Sequence, residues 1–201
     1  LVTGGSGHIG NTLVRKLTRA GKRVRVLMQP GESRVSVQGL EVELVEGDVL
    51  DLNSCRRALA GVRLVYHLAG VIAIAPGSEE RMWEVNVTGT RLLAQAAAEA
   101  KVKRLVHVGS VHALARSPNQ VVDEGAGLAL AAPREHYDRT KAEGVAAVLD
   151  RARSGLDVVV ACPSGVIGPY DFFGSEMGRL VCKLARPGWH LLVDGGFDFV
   201  D

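Results

Sequence analysis

The sequence predicts an α/β domain built on a doubly wound parallel sheet, and three observations carry that prediction. Near the start, Thr3-Gly4-Gly5-Ser6-Gly7-His8-Ile9-Gly10 joins a short apolar run to a helical pattern. Short apolar runs then alternate with longer helical stretches along the whole chain, and strand–helix repetition makes successive strands parallel. Val and Leu fill both alternate positions of the short runs, so both faces of the sheet are expected to be covered. Ligands then bind outside the carboxyl ends of the strands.

In order, Leu1-Val2 reads as the end of a first strand, and since a strand takes about four to eight residues, sequence before Leu1 is expected. Further strands are predicted at residues 24–28, 42–45, 64–68, 105–108 and 158–161. Between them, helical patterns cover 11–20, 54–60, 85–100 and 137–153, and Gly21, Gly61 and Gly155 stand where helices stop. Segments 116–133 and 165–196 are rich in Gly, Pro and polar residues and read as active-site loops or substrate-binding elements. The apolar pattern is still running at 195–201, so the reading divides the chain into a domain over 1–164 and the start of a substrate-binding region over 165–201, with more to follow.

Composition narrows the function classes. The chain has 201 residues, 47% of them hydrophobic, enough for one well-buried domain. Its 24 Lys+Arg nearly balance 22 Asp+Glu, and no dense basic run follows, so a nucleic-acid partner is not expected. No apolar run reaches the roughly 18 residues of a membrane span, so no membrane partner is expected either. Cys55, Cys162 and Cys182 lie far apart with no C-x-x-C, which argues against a disulfide framework or structural zinc and fits a reducing cytoplasmic setting. His107 and His112 flank Ser110, but no third ligand accompanies them and no metal is expected.

Two groups of residues suggest chemistry. Gly5, Gly7 and Gly10 satisfy G-x-G-x-x-G, a spacing that lets backbone approach a pyrophosphate while the following helix aims its N–H groups at the anion. Tyr137 and Lys141 are four apart on a predicted helix, hence on one face with Cβ atoms about 5–6 Å apart. A nearby ammonium favours phenolate, so Tyr137 is expected to have a lowered pKa and to serve as an acid/base. Ser110 follows the strand at 105–108, where its hydroxyl can hydrogen-bond a carbonyl beside Tyr137. Phe172 and Phe173 either line an apolar cleft or simply pack, and His136 can face substrate.

Taken together, the glycine loop, Ser110 and the Tyr137/Lys141 pair resemble the extended branch of the short-chain dehydrogenase/reductase superfamily, the NAD-dependent epimerase/dehydratase and dihydroflavonol-reductase-like proteins. Nearly the whole chain takes part. Gly47-Asp48-Val49, His67-Leu68-Ala69-Gly70, Asn86-Val87-Thr88-Gly89-Thr90, Pro163 to Pro169 and the closing Gly195 to Asp201 are similar to further segments of that branch. The resemblance implies a Rossmann-type fold and an NAD(P)-dependent reductase or dehydrogenase. Ser110, Tyr137, Lys141 and Asn86 would be its catalytic residues, Asn86 steadying the active-site helix or relaying protons. It implies cofactor contacts from the loop Gly4, Gly5, Ser6, Gly7, His8, Ile9 and Gly10. Others would come from Met28 and Gln29 at the end of the second strand, from Asp48 and Val49 at the adenine, from Leu68, Ala69 and Gly70 along the cleft, and from Pro163 and Val166 at the nicotinamide. Tyr137 and Lys141 would also touch the cofactor.

Neither acid nor base stands at Met28-Gln29, while Arg34 nearby could reach a 2′-phosphate, which inclines the reading to NADP over NAD. The substrate implied is a small carbonyl compound or, in the nearest rival reading, a sugar nucleotide for epimerisation. A non-catalytic NAD(P)-sensing protein is the alternative from another class. The dehydratase pattern of an Asp-Glu pair after the catalytic hydroxyl residue is replaced here by Val111-His112. By analogy with the branch, a homodimer is expected.

Overall fold

Val2, Val26 and Val65 are all buried in the middle of one sheet, and its strand order explains the run of branched residues. The computed structural model describes residues 1–72, 77–117, 121–131, 136–189, 195–196 and 198–201. Six parallel strands, β1 (Val2–Thr3), β2 (Arg25–Met28), β3 (Glu43–Glu46), β4 (Leu64–His67), β5 (Arg104–Val108) and β6 (Val158–Ala161), lie in the order β3-β2-β1-β4-β5-β6. The chain winds outward from β1 to β3, then returns to β1's other edge with β4. That reversal opens a crevice between the carboxyl ends of β1 and β4. Register places Thr3 beside Leu27 on one side and His67 on the other.

Alternation in β2 shows the double winding directly. Val26 and Met28 join a core cluster with Val14 of helix α1 (His8–Arg19), whereas Leu27 points into the opposite cluster. There it meets Leu59 of α2 (Leu52–Leu59) together with, further along that core, Leu93 of α4 (Thr90–Glu99) and Val148 of α5 (His136–Arg153). Leu59, Leu93 and Leu105 are fully buried, each contributing about 1.5–3 kcal/mol through removal of apolar surface from water. Local signals set the ends. Asp51 caps α2 by accepting the Asn53 N–H at 2.9 Å, and Lys16 and Arg19 in the last turn of α1 complement the negative end of its dipole.

Strand predictions agree with the structure to within a residue or so, but the single helix expected at 85–100 is different. Helix α3 (Glu79–Trp83) begins earlier and runs through a π-turn at Glu84–Gly89 before α4 continues. The widened turn lets Asn86 bond across to the strand-end segment at Val71, a demand that periodicity does not register. After β6, a short parallel pair, β7 (Gly165–Val166) with β8 (Phe199–Val200), and α6 (Glu176–Leu184) lie outside the main sheet. Parts of the expected loops, at 118–120, 132–133 and 190–194, and Phe197 of the closing motif lie outside the described residues.

Candidate active site

The glycine loop crosses from β1 to α1 at the crevice. Gly4 has φ +66°, and a methyl group there would lie 2.7 Å from Leu68 C and O and from Ala69 N. At Gly10 a methyl would meet Gly4 O at 2.0 Å, so helix and loop touch backbone to backbone. Gly7 has more room: its nearest neighbour would be Gly4 O at 3.4 Å, and it lines the cleft. Its N–H donates to Gly4 O at 3.1 Å, which closes the turn. With no acid in the first turn of α1, the positive end of the helix dipole is left for an anion. A tight backbone cradle, an uncompensated helix N-terminus and an adjoining cleft fit a dinucleotide.

That cleft has a volume of about 220 Å³. Of the residues expected at a cofactor, Gly4, Ser6, Gly7, Gln29, Val49, Leu68, Ala69 and Gly70 line it. Gly5 instead sits against the side chain of Val26, and Ile9 is exposed. His8 reaches Gly168 O through Nε2 at 3.1 Å. Asp48 stands beside the end of β2, its carboxylate accepting from Gln29 Nε2 at 3.1 Å and from the Leu50 N–H at 2.9 Å. Val166 is in β7, and Pro163 O accepts the Val111 N–H at 3.1 Å, tying the end of β6 to the segment after β5.

Met28 and Arg34, too, are not brought to the cleft. Met28 is 4% exposed and packs in the core beneath α1, because alternation along β2 turns it to that face. Arg34 projects with 67% of its side chain exposed and pairs at 3.9 Å with Glu46 of β3, drawn away by that carboxylate. Glu32 takes the place expected for a discriminating residue. Its carboxylate accepts hydrogen bonds from Ser6 Oγ of the glycine loop and, at 2.8 Å, from Gln29 N, and it lines the cleft. An acid about twenty residues beyond the last glycine was the available signal; it lies past the strand end, in a turn that folds back. Thr3, Leu27, Val71, Arg81 and Val85 also line the cleft without any marker in sequence.

The polar trio lies outside the lining of this cleft. Ser110 follows β5 and caps a 3₁₀ turn, Val111–Ala113, by accepting the His112 N–H at 3.2 Å, which leaves its own hydrogen free to donate. Tyr137 opens α5. Burial pushes its phenol above the ordinary value, a hydrogen bond with Ser110 pulls it down, and the Asp138 carboxylate pushes it up. This corrects the expected lowering by Lys141. Burial is the largest influence on the phenol, Lys141 is not among the groups that shift it, and burial also brings Lys141 down to about 8. A methyl group on Gly70 would lie 3.2 Å from Asn86 Oδ1 and 3.6 Å from Lys141 Nζ, so ammonium and amide stand directly behind the cleft wall.

Asn86 has no amide hydrogen to spare. Oδ1 accepts the Val71 N–H at 2.8 Å, while Nδ2 donates to Val71 O at 3.0 Å and to Thr140 Oγ1 at 3.1 Å. Both amide hydrogens are committed, so its side chain fastens α5 and the π-turn to the cleft edge. Below, His67 is clamped between Thr3 Oγ1 (2.7 Å) and Thr90 Oγ1 (2.9 Å), and burial lowers its pKa to about 3.

Residues 1–188 match the NAD dependent epimerase/dehydratase family. The chain belongs to this family. Among curated proteins it is similar to sterol demethylase protein B of Methylococcus capsulatus, 38% identical over 200 residues, covering all of this chain and 61% of that protein. It is also similar to a 4-hydroxy-2-methyl-3-oxo-4-farnesyl-3,4-dihydroquinoline-1-oxide ketoreductase of Stigmatella aurantiaca, 32% identical, covering 97% of this chain and 57% of that protein. Among solved structures, a short-chain dehydrogenase/reductase superfamily protein of Agrobacterium tumefaciens with bound NAD aligns with a TM-score of 0.72 and 33% identity, over 83% of this chain and 49% of that one. The chain spans little more than half the length of the curated relatives it matches. Family and neighbours support an NAD-dependent enzyme of the epimerase, dehydratase or reductase type.

Proposed function

We propose that the protein is an NAD-dependent oxidoreductase that interconverts a carbonyl and a hydroxyl group on a small or medium organic substrate. The observation that carries this reading is the hydrogen bond between Ser110 and Tyr137 at the start of α5, with Lys141 on the same helix standing behind the cleft wall at Gly70. Bound nicotinamide would supply or accept the hydride. In the reducing direction, the Ser110 hydroxyl donates a hydrogen bond to the substrate oxygen and Tyr137 gives that oxygen its phenolic proton. Oxidation reverses the transfer, with the phenolate oxygen taking the hydroxyl proton. Lys141, charged at neutral pH, favours the phenolate that each cycle generates and offers donors to a ribose hydroxyl. Asn86 keeps α5 and the cleft edge in register. Residues 165–201 begin the substrate-binding region, and a carbonyl substrate accords with the ketoreductase named among the relatives.

Glu32 favours NAD over NADP, in place of the preference that Arg34 suggested. A carboxylate fixed at the glycine loop accepts from a ribose hydroxyl and repels a phosphate. The test is titration of the full-length protein with NADH and NADPH, followed by turnover of a ketone panel by the parent and by Tyr137→Phe. Tighter NADH binding, and a Tyr137→Phe variant that binds NADH but turns over at least about a hundredfold more slowly, are expected. Unchanged turnover removes Tyr137 from the mechanism.

A further inference from the structure

Asp138 is only 4% exposed, yet it follows Tyr137 directly on α5. A buried carboxylate needs partners, and it has them on both oxygens. Oδ1 accepts from His112 Nδ1 at 2.7 Å, and Oδ2 is paired with Arg116, both from the segment after β5. His112 is held on two further sides. Its N–H donates to Ser110 Oγ, and its ring meets the Tyr137 ring edge-on, with centroids 5.7 Å apart and planes at 64°. The imidazole is 28% exposed and the Arg116 side chain 42%, so Asp138 is the buried member that anchors two partly exposed ones.

We propose that Asp138, His112 and Arg116 form a positioning cluster that locks the Ser110 segment onto α5 and shields the Tyr137 phenol from the carboxylate beside it. The inference rests on the acid/base reading of Tyr137 and deepens it. Without its partners, the Asp138 charge would act on the phenol in full and push it further above its ordinary value. With Arg116 and His112 in place the push of the carboxylate on the phenol is weakened though not removed, and the same bonds fix the aromatic edge and the serine hydroxyl that the substrate oxygen must meet. Titratable groups gathered there are His112 and Arg116 after β5, Asp138 and Lys141 on α5, and Cys162 after β6, with the Ser110 hydroxyl as a neutral partner. The π-turn and α3, which pack on α5, bring the saturated amide of Asn86 and the Arg81–Glu84 ion pair. None of these other groups bonds to Asp138 in the contacts described above.

The experiment follows the phenol itself. In the full-length protein, with isotope-labelled tyrosine observed by NMR and the Tyr137 signal assigned by its loss in Tyr137→Phe, the titration is recorded for the parent, Asp138→Asn and Arg116→Gln. Removing the anion should move the Tyr137 midpoint down by about one pH unit, and removing the cation should move it up by a comparable amount. Turnover against pH should shift in the same directions, with the loss falling on kcat more than on KM. A merely structural role would lower activity at every pH and leave the midpoint in place. Should Asp138→Asn fail to fold, Arg116→Gln, on a side chain nearly half exposed, still decides the matter. Unmoved midpoints in folded variants overturn the cluster even if Tyr137→Phe is inactive. Shifted midpoints with an active Tyr137→Phe sustain the cluster and overturn the acid/base reading instead.

Discussion

Gly10 and Gly7 belong to the same motif, but the structure assigns them different costs, and separating those costs tests the account of the cradle. In Gly10→Ala the new methyl would sit 2.0 Å from Gly4 O, 2.8 Å from Gly4 C and 3.0 Å from Gly5 Cα. All three are backbone atoms, so no rotamer change can relieve the overlap. Helix α1 and the loop would have to separate by about 1 Å, which costs on the order of 1–3 kcal/mol in a close-packed interior. For a domain of this size that lowers the melting temperature by roughly 2–12 °C. The displaced loop should also weaken NADH binding, by roughly tenfold to a hundredfold. Gly7→Ala differs. With φ −71° and ψ 169° the backbone accepts alanine, and the methyl's nearest contact is an ordinary 3.4 Å. Folding stability should change by less than about 0.5 kcal/mol, while NADH affinity falls because the methyl projects where phosphate approaches. The assays are thermal unfolding and NADH fluorescence titration on both variants. A Gly10→Ala protein that matches the parent in stability, or a Gly7→Ala protein that loses stability but not affinity, would refute the reasoning.

The remaining expectations can be checked on the same preparations. Glu32→Gln removes the charge at the glycine loop while keeping its shape, so the NADH-to-NADPH preference should fall by about tenfold or more, read from paired titrations. Asn86→Leu strands the Val71 N–H and carbonyl and takes one donor from the Thr140 hydroxyl, which keeps its own bond to Tyr137 O, and should cost about 2–4 kcal/mol in urea unfolding. His67 is held neutral down to about pH 3, and His107 is likewise well below its ordinary value through burial. Between that range and the unfolded value near about 6.5, the unfolded chain binds more protons, so stability should fall as pH drops. The slope below about pH 6 approaches 1.4 kcal/mol per pH unit for each histidine. Urea midpoints at pH 7.5 and 5 measure it, and a flat profile contradicts neutral burial of the two rings.

Much of this was legible in residues alone. Strand positions and the double winding followed from Val and Leu on both alternate positions, since a strand covered on both faces has no polar side to show. The glycine loop marked the crevice and the Tyr137/Lys141 spacing a helical face whose Lys141 stands behind it, because such close backbone approach and such a face each restrict residue type over a few positions. What pattern could not supply were the consequences of burial and of chain reversal. Helical spacing put an ammonium near Tyr137, but whether the phenol rises or falls depends on how much water the fold removes, and that is a property of distant segments. Arg34 and Glu32 are neighbours in sequence. Only the turn after β2 decided that the base would meet Glu46 on the outside and the acid would meet Ser6 within. The pairing of Asp138 with His112 and Arg116 likewise joins segments more than twenty residues apart, brought together by the turn after β5 packing on α5. Local pattern therefore determined the elements and the residue types at the site. Charge state, contact partner and the choice between neighbouring acid and base were set by tertiary structure, because desolvation and Coulomb interactions act through space.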